Sequence, residues 1–154
     1  MVPEEKLKEM GLNCPSVPTP VAAYVPAVFS GEFVYTSGQL PFVEGSLLYK
    51  GKLGRELGVE QGYEAARACI LNCLGAVKAV IGELGRIERI IRVTGYVNSA
   101  YGFKEQHLVL NGASELLLAL FGEAGRHVRS AVGVTELPLG APVEVELTVR
   151  VAGN

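Results

Sequence analysis

The fold of this chain is read most directly from residues 128–147, near its C-terminal end: VRSAVGVTELPLGAPVEVEL. Apolar residues alternate with other residues on both sides of segment 137–140, which is the pattern of two β-strands separated by a turn. Strands joined in this way are expected to lie side by side, so that Arg129 in the first and Glu144 in the second converge on one small molecule. Arginine suits such a site because its planar guanidinium stays charged and holds a carboxylate through two hydrogen bonds.

The local pattern leaves other interpretations open. An arginine near the start of a strand is equally compatible with a solvated surface charge or one half of an ion pair. Glu144 and Glu146 alternate with apolar neighbours, so both fit the polar face of an ordinary strand. The pattern therefore predicts strands here without deciding what the charged side chains do.

The remaining elements follow from periodicity and from turn residues. Apolar residues recur every three or four positions over 59–84, which predicts a long amphipathic helix that ends at Gly85. A second helix is predicted over 102–121, capped by residues 98–99 and with Gly112 near its middle. Short helical turns are predicted over 3–10, and strands over 24–30, 33–37, 47–49, 87–97, 129–134 and 143–151. Helices separated by strands in this order predict an α+β domain with the helices on one face of a mixed sheet.

Composition limits the classes of function. The 154 residues are enough for one domain, and 49% of them are hydrophobic, which is more than a small monomer needs and favours an oligomer. Fourteen basic and sixteen acidic residues are mixed along the chain and give a net charge of −2. This balance argues against a nucleic-acid partner, and no phosphate-binding loop pattern is present.

The N-terminal residues lack the features of a signal peptide, and the long apolar stretches contain charges or glycines, so we expect a cytoplasmic protein without a membrane span. Cys69 and Cys73 are predicted to be buried on the first long helix, whereas Cys14 is expected to be exposed. His107 and His127 are interpreted as surface or interface residues. The sequence has no aspartate, so a Ser-His-Asp triad has no support, and we expect neither a metal nor a cofactor.

Two blocks of sequence carry a resemblance to a known family. The block 128–147 resembles the C-terminal signature of the Rid family, also called YjgF or L-PSP, in its segments RSAVGV, LP and VEVE. Tyr24, followed by the segment YTSGQLP at 35–41, is similar to the N-terminal signature of the same family. The resemblance implies the chorismate-mutase-like, Rid-type fold, with two helices on one face of the sheet. It also implies a barrel-like homotrimer with sites at the subunit interfaces.

On this basis residues 1–20 are interpreted as an N-terminal extension and residues 21–154 as a single Rid-like domain. In the deaminase branch of the family the substrate is a reactive 2-imino acid or its enamine, which is hydrolysed to a 2-keto acid and ammonia. The resemblance implies that Arg129 binds the carboxylate and that Glu144 acts on the attacking water. It further implies a cleft lined by Tyr24, Ser37, Gly38 and Asn111.

The sequence departs from the family pattern at two positions of the C-terminal block. Ala131 stands where many deaminase members carry a cysteine, so only a backbone group can act there. Gly133 replaces a residue that is often acidic. These differences indicate a divergent subgroup, and three hypotheses follow: a trimeric imine deaminase, a non-catalytic module that binds a keto acid or another carboxylate metabolite, and an endoribonuclease or translation inhibitor. The neutral composition without tryptophan does not favour the third hypothesis.

Overall fold

The chain was analysed as a computed structural model, which describes residues 1–17 and 22–153. The described residues form three helices: α1 (Pro3–Glu9), α2 (Val59–Ile81) and α3 (Gln106–Phe121). The strands are β1 (Ala27–Ser30), β2 (Phe33–Thr36), β3 (Phe42–Val43), β4 (Ser46–Leu47), β5 (Ile87–Asn98), β6 (Val128–Val134) and β7 (Val143–Val151). Short 3-10 turns occupy Leu84–Arg86, Gly122–Gly125 and Pro138–Gly140. The expected α+β class with helices and a mixed sheet is confirmed.

Five strands form the main sheet in the order β1-β2-β7-β5-β6, and β3 and β4 form a separate hairpin. All neighbours in the main sheet are antiparallel except β5 and β6, because α3 carries the chain back over the sheet between them. The expectation that β6 and β7 lie side by side is wrong. β5 pairs with both and separates them, and the 3-10 turn at Pro138–Gly140 bridges the gap instead of closing a tight hairpin.

The core lies between the sheet and the two long helices. β7 alternates strictly, so that Val143, Val145, Leu147, Val149 and Val151 are buried. Apolar residues of α2 and α3 cover them, including the cysteines predicted to be buried. Cys69 and Cys73 are inaccessible to solvent, with their sulfurs 3.5 and 3.2 Å from the carbonyl oxygens of Val143 and Val145. Burial raises the pKa of Cys73 to about 12, so its thiol stays neutral.

Cys14 is less exposed than the sequence predicts. It is half-buried against the core, and burial raises its pKa to about 11. The reason is that segment 12–17 lies on α2. The carbonyl oxygen of Pro15 approaches Gly75 so closely that an added Cβ would be 2.2 Å from it.

The helix ends also differ from the sequence prediction. α2 ends at Ile81, where Gly82 adopts a φ of 93° and donates its N–H to the carbonyl oxygen of Lys78. Gly85 belongs to the following 3-10 turn. α3 starts at Gln106, and Gly102, with a φ of 84°, lies outside it. Asn98 is therefore no helix cap; it is the buried last residue of β5, and its Nδ2 donates to the carbonyl oxygen of Ala141.

By length and composition alone, the stretch Gln106–Gly125 could cross a membrane, which contradicts the expectation that no segment qualifies. In the structure this stretch is α3 and the turn after it. Val109, Leu110 and Leu117 of α3 are fully buried among other core residues. A buried core helix meets the same two criteria, and the apolar residues of α3 have such a role here.

Gly112 allows α3 to remain unbroken and to touch α2 closely. An added Cβ would be only 2.0 Å from the carbonyl oxygen of Tyr63, a backbone atom that cannot turn away. We expect Gly112→Ala to lower the free energy of unfolding by about 3 kcal/mol, which exceeds the roughly 1 kcal/mol that alanine adds to helix propensity. Urea unfolding measures the change. Gly85→Ala, where a Cβ meets nothing within 4 Å, is the control and should leave stability nearly unchanged. An equally stable Gly112→Ala variant would contradict this account of the helix contact.

Candidate functional site

Arg129 is held on the helix-covered face of the sheet. It is in register with Val93 of β5, whose side chain is in the core, and its guanidinium reaches α3. Nη1 donates to Asn111 Oδ1 at 3.0 Å and to Ser114 Oγ at 3.1 Å. Nη2 donates to the carbonyl oxygen of His107 at 3.2 Å. α3 therefore orients the cation, and the expected proximity of Asn111 to Arg129 is present.

All three acceptors of the Arg129 guanidinium are neutral. None of the ion pairs found among residues 1–17 and 22–153 includes Arg129. Its charge is thus balanced only by amide, hydroxyl and carbonyl dipoles. A half-buried guanidinium without a carboxylate partner is a good binding group for an anion, because its charge and part of its donor fork remain available.

Glu144 lies on the other face of the sheet. It is in register with Tyr96 of β5, and its carboxylate packs against Gly38. A Cβ at Gly38 would be 2.5 Å from Glu144 Oε1, so a residue with a side chain would displace the carboxylate. Gly38 does not have a positive φ, so the residue matters here for its missing side chain and not for its conformational freedom.

Glu144 is surrounded in a way that favours its protonated form. Burial is the main cause that raises the pKa of its carboxyl above the ordinary value, and the charge of Glu146 adds to it. Glu146 itself accepts a 2.9 Å hydrogen bond from the hydroxyl of Tyr96. A carboxyl with a raised pKa exchanges its proton at a higher pH than an ordinary carboxyl, which suits a general base that later acts as an acid.

Ser37 and Tyr24 are close to Gly38. The hydroxyl of Ser37 donates to the carbonyl oxygen of Val25 at 2.6 Å, which ties the segment before β1 to the end of β2. Tyr24 is exposed and, with Gly38, lines a cavity of about 680 Å³. The remaining lining is mainly apolar and includes Pro15, Val17, Pro26, Leu40 and Phe42. Gly38 thus lies between the Glu144 carboxylate and this cavity, which Glu144 itself does not line.

The predicted site residues consequently form two clusters instead of one. The first, called here the arginine cluster, contains Arg129, Asn111 and Ser114. Ala131 shares their face, in register with Gly95. The second, the glutamate cluster, contains Glu144, Gly38, Ser37 and Tyr24.

The expectation that Arg129 and Glu144 converge within one chain is wrong, and the register explains why. Their partners on β5, Val93 and Tyr96, are three residues apart. Successive side chains of a strand point to opposite faces, so an odd separation places the two groups on opposite sides of the sheet.

Sequence reasoning missed two members of the arginine neighbourhood. His127 is half-buried, with Nε2 2.8 Å from Ser114 Oγ and Nδ1 2.7 Å from the carbonyl oxygen of Gly125. The spacing contained a usable signal. Asn111 and Ser114 are three apart on a helix, and His127, which directly precedes β6, is two residues from Arg129 in extended backbone; each spacing places its pair on one face. What the sequence could not provide was the contact between these two faces. Among the described residues, no group of three potential metal ligands is close enough to hold a metal.

The chain and its fold match known proteins. The family model described as "YjgF/chorismate_mutase-like, putative endoribonuclease" matches residues 4–150. Protein TCP17 of Trypanosoma cruzi is 43% identical over 94% of this chain and 91% of that protein. A RutC family protein of Aquifex aeolicus is 30% identical over 88% of this chain and 94% of its own length. A crystal structure of a protein from Shewanella oneidensis, named as a putative endoribonuclease, is 39% identical, with a TM-score of 0.94 over 98% of this chain and all of the other.

The described residues therefore define a class of protein with one mixed sheet covered by two helices, an oriented arginine on one side of the sheet and a half-buried glutamate on the other. The chain belongs to the YjgF/chorismate mutase-like family, in agreement with the Rid resemblance of its two signature blocks.

The influence of Glu146 on Glu144 can be tested directly. In Glu146→Gln the amide oxygen can still accept the bond from Tyr96, but the negative charge is gone. We expect the pKa of Glu144 to fall yet to stay above 4.5, because burial is the larger cause and remains. A ¹³C NMR titration of the side-chain carboxyls measures the shift. Glu88→Gln, which removes an exposed partner of Arg150, is the control. An unchanged Glu144 pKa would show that Glu146 has no influence.

Proposed function

We propose that this protein hydrolyses reactive 2-imino acids, or the enamines that tautomerise to them, to 2-keto acids and ammonia. The observation that carries the proposal is the Arg129 guanidinium, which α3 orients through three neutral acceptors and which has no carboxylate partner among the described residues. A 2-imino acid supplies the missing carboxylate, and binding it would place the adjacent C=N carbon at a defined distance from the arginine.

The reaction adds one water molecule to the imine carbon and releases one ammonia, so that the C=N bond is replaced by a C=O bond. Glu144 is the group suited to the proton transfers. Its raised pKa allows it to accept a proton from the attacking water and then to deliver one to the leaving nitrogen. Ala131 offers no thiol, so we assign the acid and base role to Glu144 alone.

Both clusters must act on the same substrate molecule, and the sheet separates them within one chain. We therefore propose that each site forms between two copies of a homotrimer, with the arginine cluster of one copy facing the glutamate cluster of the next. The surface of the sheet supports such an assembly. Its helix-free face bears exposed Val28, Tyr35, Val128 and Val132, the last two on the edge strand β6. Covering these side chains would remove apolar area from water.

The first test is hydrolysis of 2-iminopropanoate and 2-iminobutanoate, produced in situ by an amino-acid oxidase and followed by trapping with semicarbazide. We expect Arg129→Ala to lower kcat/KM by about 100-fold, or about 3 kcal/mol of transition-state stabilisation, because the carboxylate loses its charged partner. Arg129→Lys should recover only part of the rate, since an ammonium ion cannot bind a carboxylate through a planar fork. Arg55→Ala removes an exposed arginine paired with Glu56 and is the matched control.

Absence of imine hydrolysis by a folded wild type with several imino acids would contradict the proposal. In that case, binding of pyruvate that depends on Arg129 would indicate a carboxylate-binding module. Because one similar structure is named as an endoribonuclease, the same preparation should also be incubated with single-stranded RNA. Cleavage that Arg129→Ala abolishes would replace the deaminase proposal.

The shared site has a sharper test in mixed trimers. Arg129→Ala and Glu144→Ala should each retain only a small fraction of the wild-type activity, because every site in such a trimer lacks one group. When the two variants are unfolded, mixed equally and refolded together, random assembly should give about one quarter of the sites both groups from different copies. We expect a corresponding recovery of kcat in the imine assay.

The control for this experiment is a mixture of the two variants refolded separately, which should show no such recovery. If Arg129 and Glu144 of the same chain form the site, co-refolding will give no recovery at all. That result, with mixed trimers demonstrated by mass spectrometry, would overturn the shared site and leave the hydrolytic activity to be explained within one subunit.

A further inference from the structure

A chain of hydrogen bonds runs from the backbone through His127 and Ser114 to Arg129. The carbonyl oxygen of Gly125 can only accept, so Nδ1 of His127 must carry the proton of their 2.7 Å bond. In a neutral imidazole the other nitrogen, Nε2, then has a free lone pair. It accepts the hydroxyl proton of Ser114 at 2.8 Å. The lone pairs of Ser114 Oγ are left for Nη1 of Arg129 at 3.1 Å.

We infer that Ser114 and His127 are positioning residues that orient the guanidinium of Arg129 toward a bound carboxylate, and that they do so only while His127 is neutral. This inference rests on the proposed function for the identity of the ligand. Neither residue needs to touch the substrate. Their effect passes through the direction in which Ser114 presents its lone pairs to Arg129.

Protonation of His127 reverses one of these bonds. Both nitrogens of an imidazolium are donors, so Nε2–H would point at Ser114 Oγ, which already receives a proton from Arg129. The hydroxyl hydrogen of Ser114 would lose its acceptor, and a second cation would lie beside the guanidinium. Both changes favour a different orientation of the Arg129 side chain and lower its affinity for a carboxylate.

The charges around His127 favour the neutral form. Arg129 lies on β6, two residues after His127, and Arg126 directly precedes His127. Arg89 of β5 lines the same small surface cleft and donates to the carbonyl oxygen of Arg126. Among the described residues, the carboxylate seen in an ion pair here is that of Glu123, which is paired with Arg126 at 2.9 Å. Three cations against one paired carboxylate disfavour a further positive charge on this side.

α3 offers no compensating negative charge to His127. It presents the hydroxyl of Ser114, and the next residue, Glu115, accepts a hydrogen bond from Tyr63 of α2 instead. Burial is the main cause that lowers the pKa of His127 below 6.5; the hydrogen bond to Gly125 opposes it and the charge of Arg129 adds to it. The network is therefore intact at neutral pH and is lost as the pH falls through this lowered pKa.

The first part of the experiment measures the histidine itself and needs no activity. We expect ¹⁵N NMR of the imidazoles in the folded wild type to show the Nδ1–H tautomer for His127, with exposed His107 as the internal reference. His127→Gln assigns the signals. Arg129→Ala should raise the pKa of His127, because a neighbouring positive charge is removed. An Nε2–H tautomer, or a His127 pKa that does not respond to Arg129→Ala, would overturn the inference.

The second part measures carboxylate binding, with pyruvate and 2-oxobutanoate as the probes in calorimetry and imino acids in the kinetic assay. Ser114→Ala should weaken binding and raise KM by about 10-fold, with kcat changed much less, because only the orientation of Arg129 suffers. Ser114→Thr keeps the hydroxyl and should restore most of the affinity. Ser46→Ala, an exposed serine on β4, is the control and should behave as wild type.

The pH profile separates a positioning role from a merely structural one. As the pH falls from 7 through the lowered pKa of His127, the wild type should lose affinity for pyruvate, whereas His127→Gln, which cannot titrate, should show a weaker but nearly constant affinity. Equal profiles for the two proteins, or tighter binding by the wild type at low pH, would overturn the inference. If the wild type binds keto acids with this profile but hydrolyses no imine, the proposed reaction fails and the positioning network stands.

Discussion

Strand β5 forms backbone hydrogen bonds along both of its edges and so holds this sheet together. It runs parallel to β6 and antiparallel to β7. The position of this strand determines which side chains can meet. Each residue of β6 and β7 takes its face from its partner on β5, and the partners of Arg129 and Glu144 are three residues apart. The strand that stabilises the sheet therefore also separates the two charged groups that the proposed reaction needs.

The two faces of the sheet differ in what they can do. The helix-covered face buries the alternate residues of β7 and gives Arg129 a rigid support on α3, made possible by the close contact between Gly112 and Tyr63. The other face carries Glu144, Glu146 and several exposed apolar side chains. A sheet covered on one side only leaves this surface exposed, and the proposed assembly would cover it.

Each cluster contains a charged group in an unfavourable environment, and a role in binding or catalysis explains why such a group is there. Arg129 has no carboxylate partner among the described residues, and Glu144 is half-buried with a second carboxylate nearby. Groups whose surroundings disfavour their charged form, or leave a charge unbalanced, are concentrated at functional sites. The neutral His127 beside Arg129 belongs to the same pattern, because one added proton there would change both the charge and the hydrogen bonding of the guanidinium.

The sequence by itself determined the long helices and strands and the family, but it missed the short strand Phe42–Val43. Strict alternation of apolar residues located β7 at its correct bounds, and the recurrence of apolar residues every three or four positions located α2, because burial on one face imposes these periods. The sequence prediction ended α2 at Gly85, whereas the helix ends at Gly82. Either glycine can end a helix, and only the path of the chain decides between them.

The tertiary structure alone decided which strands are neighbours, and hence that Arg129 and Glu144 lie on opposite faces. It also decided that Ser114 and His127 meet at Arg129. Local pattern depends on residues a few positions apart, whereas strand order and contacts between faces depend on how α3 carries the chain over the sheet, and no local period records that path.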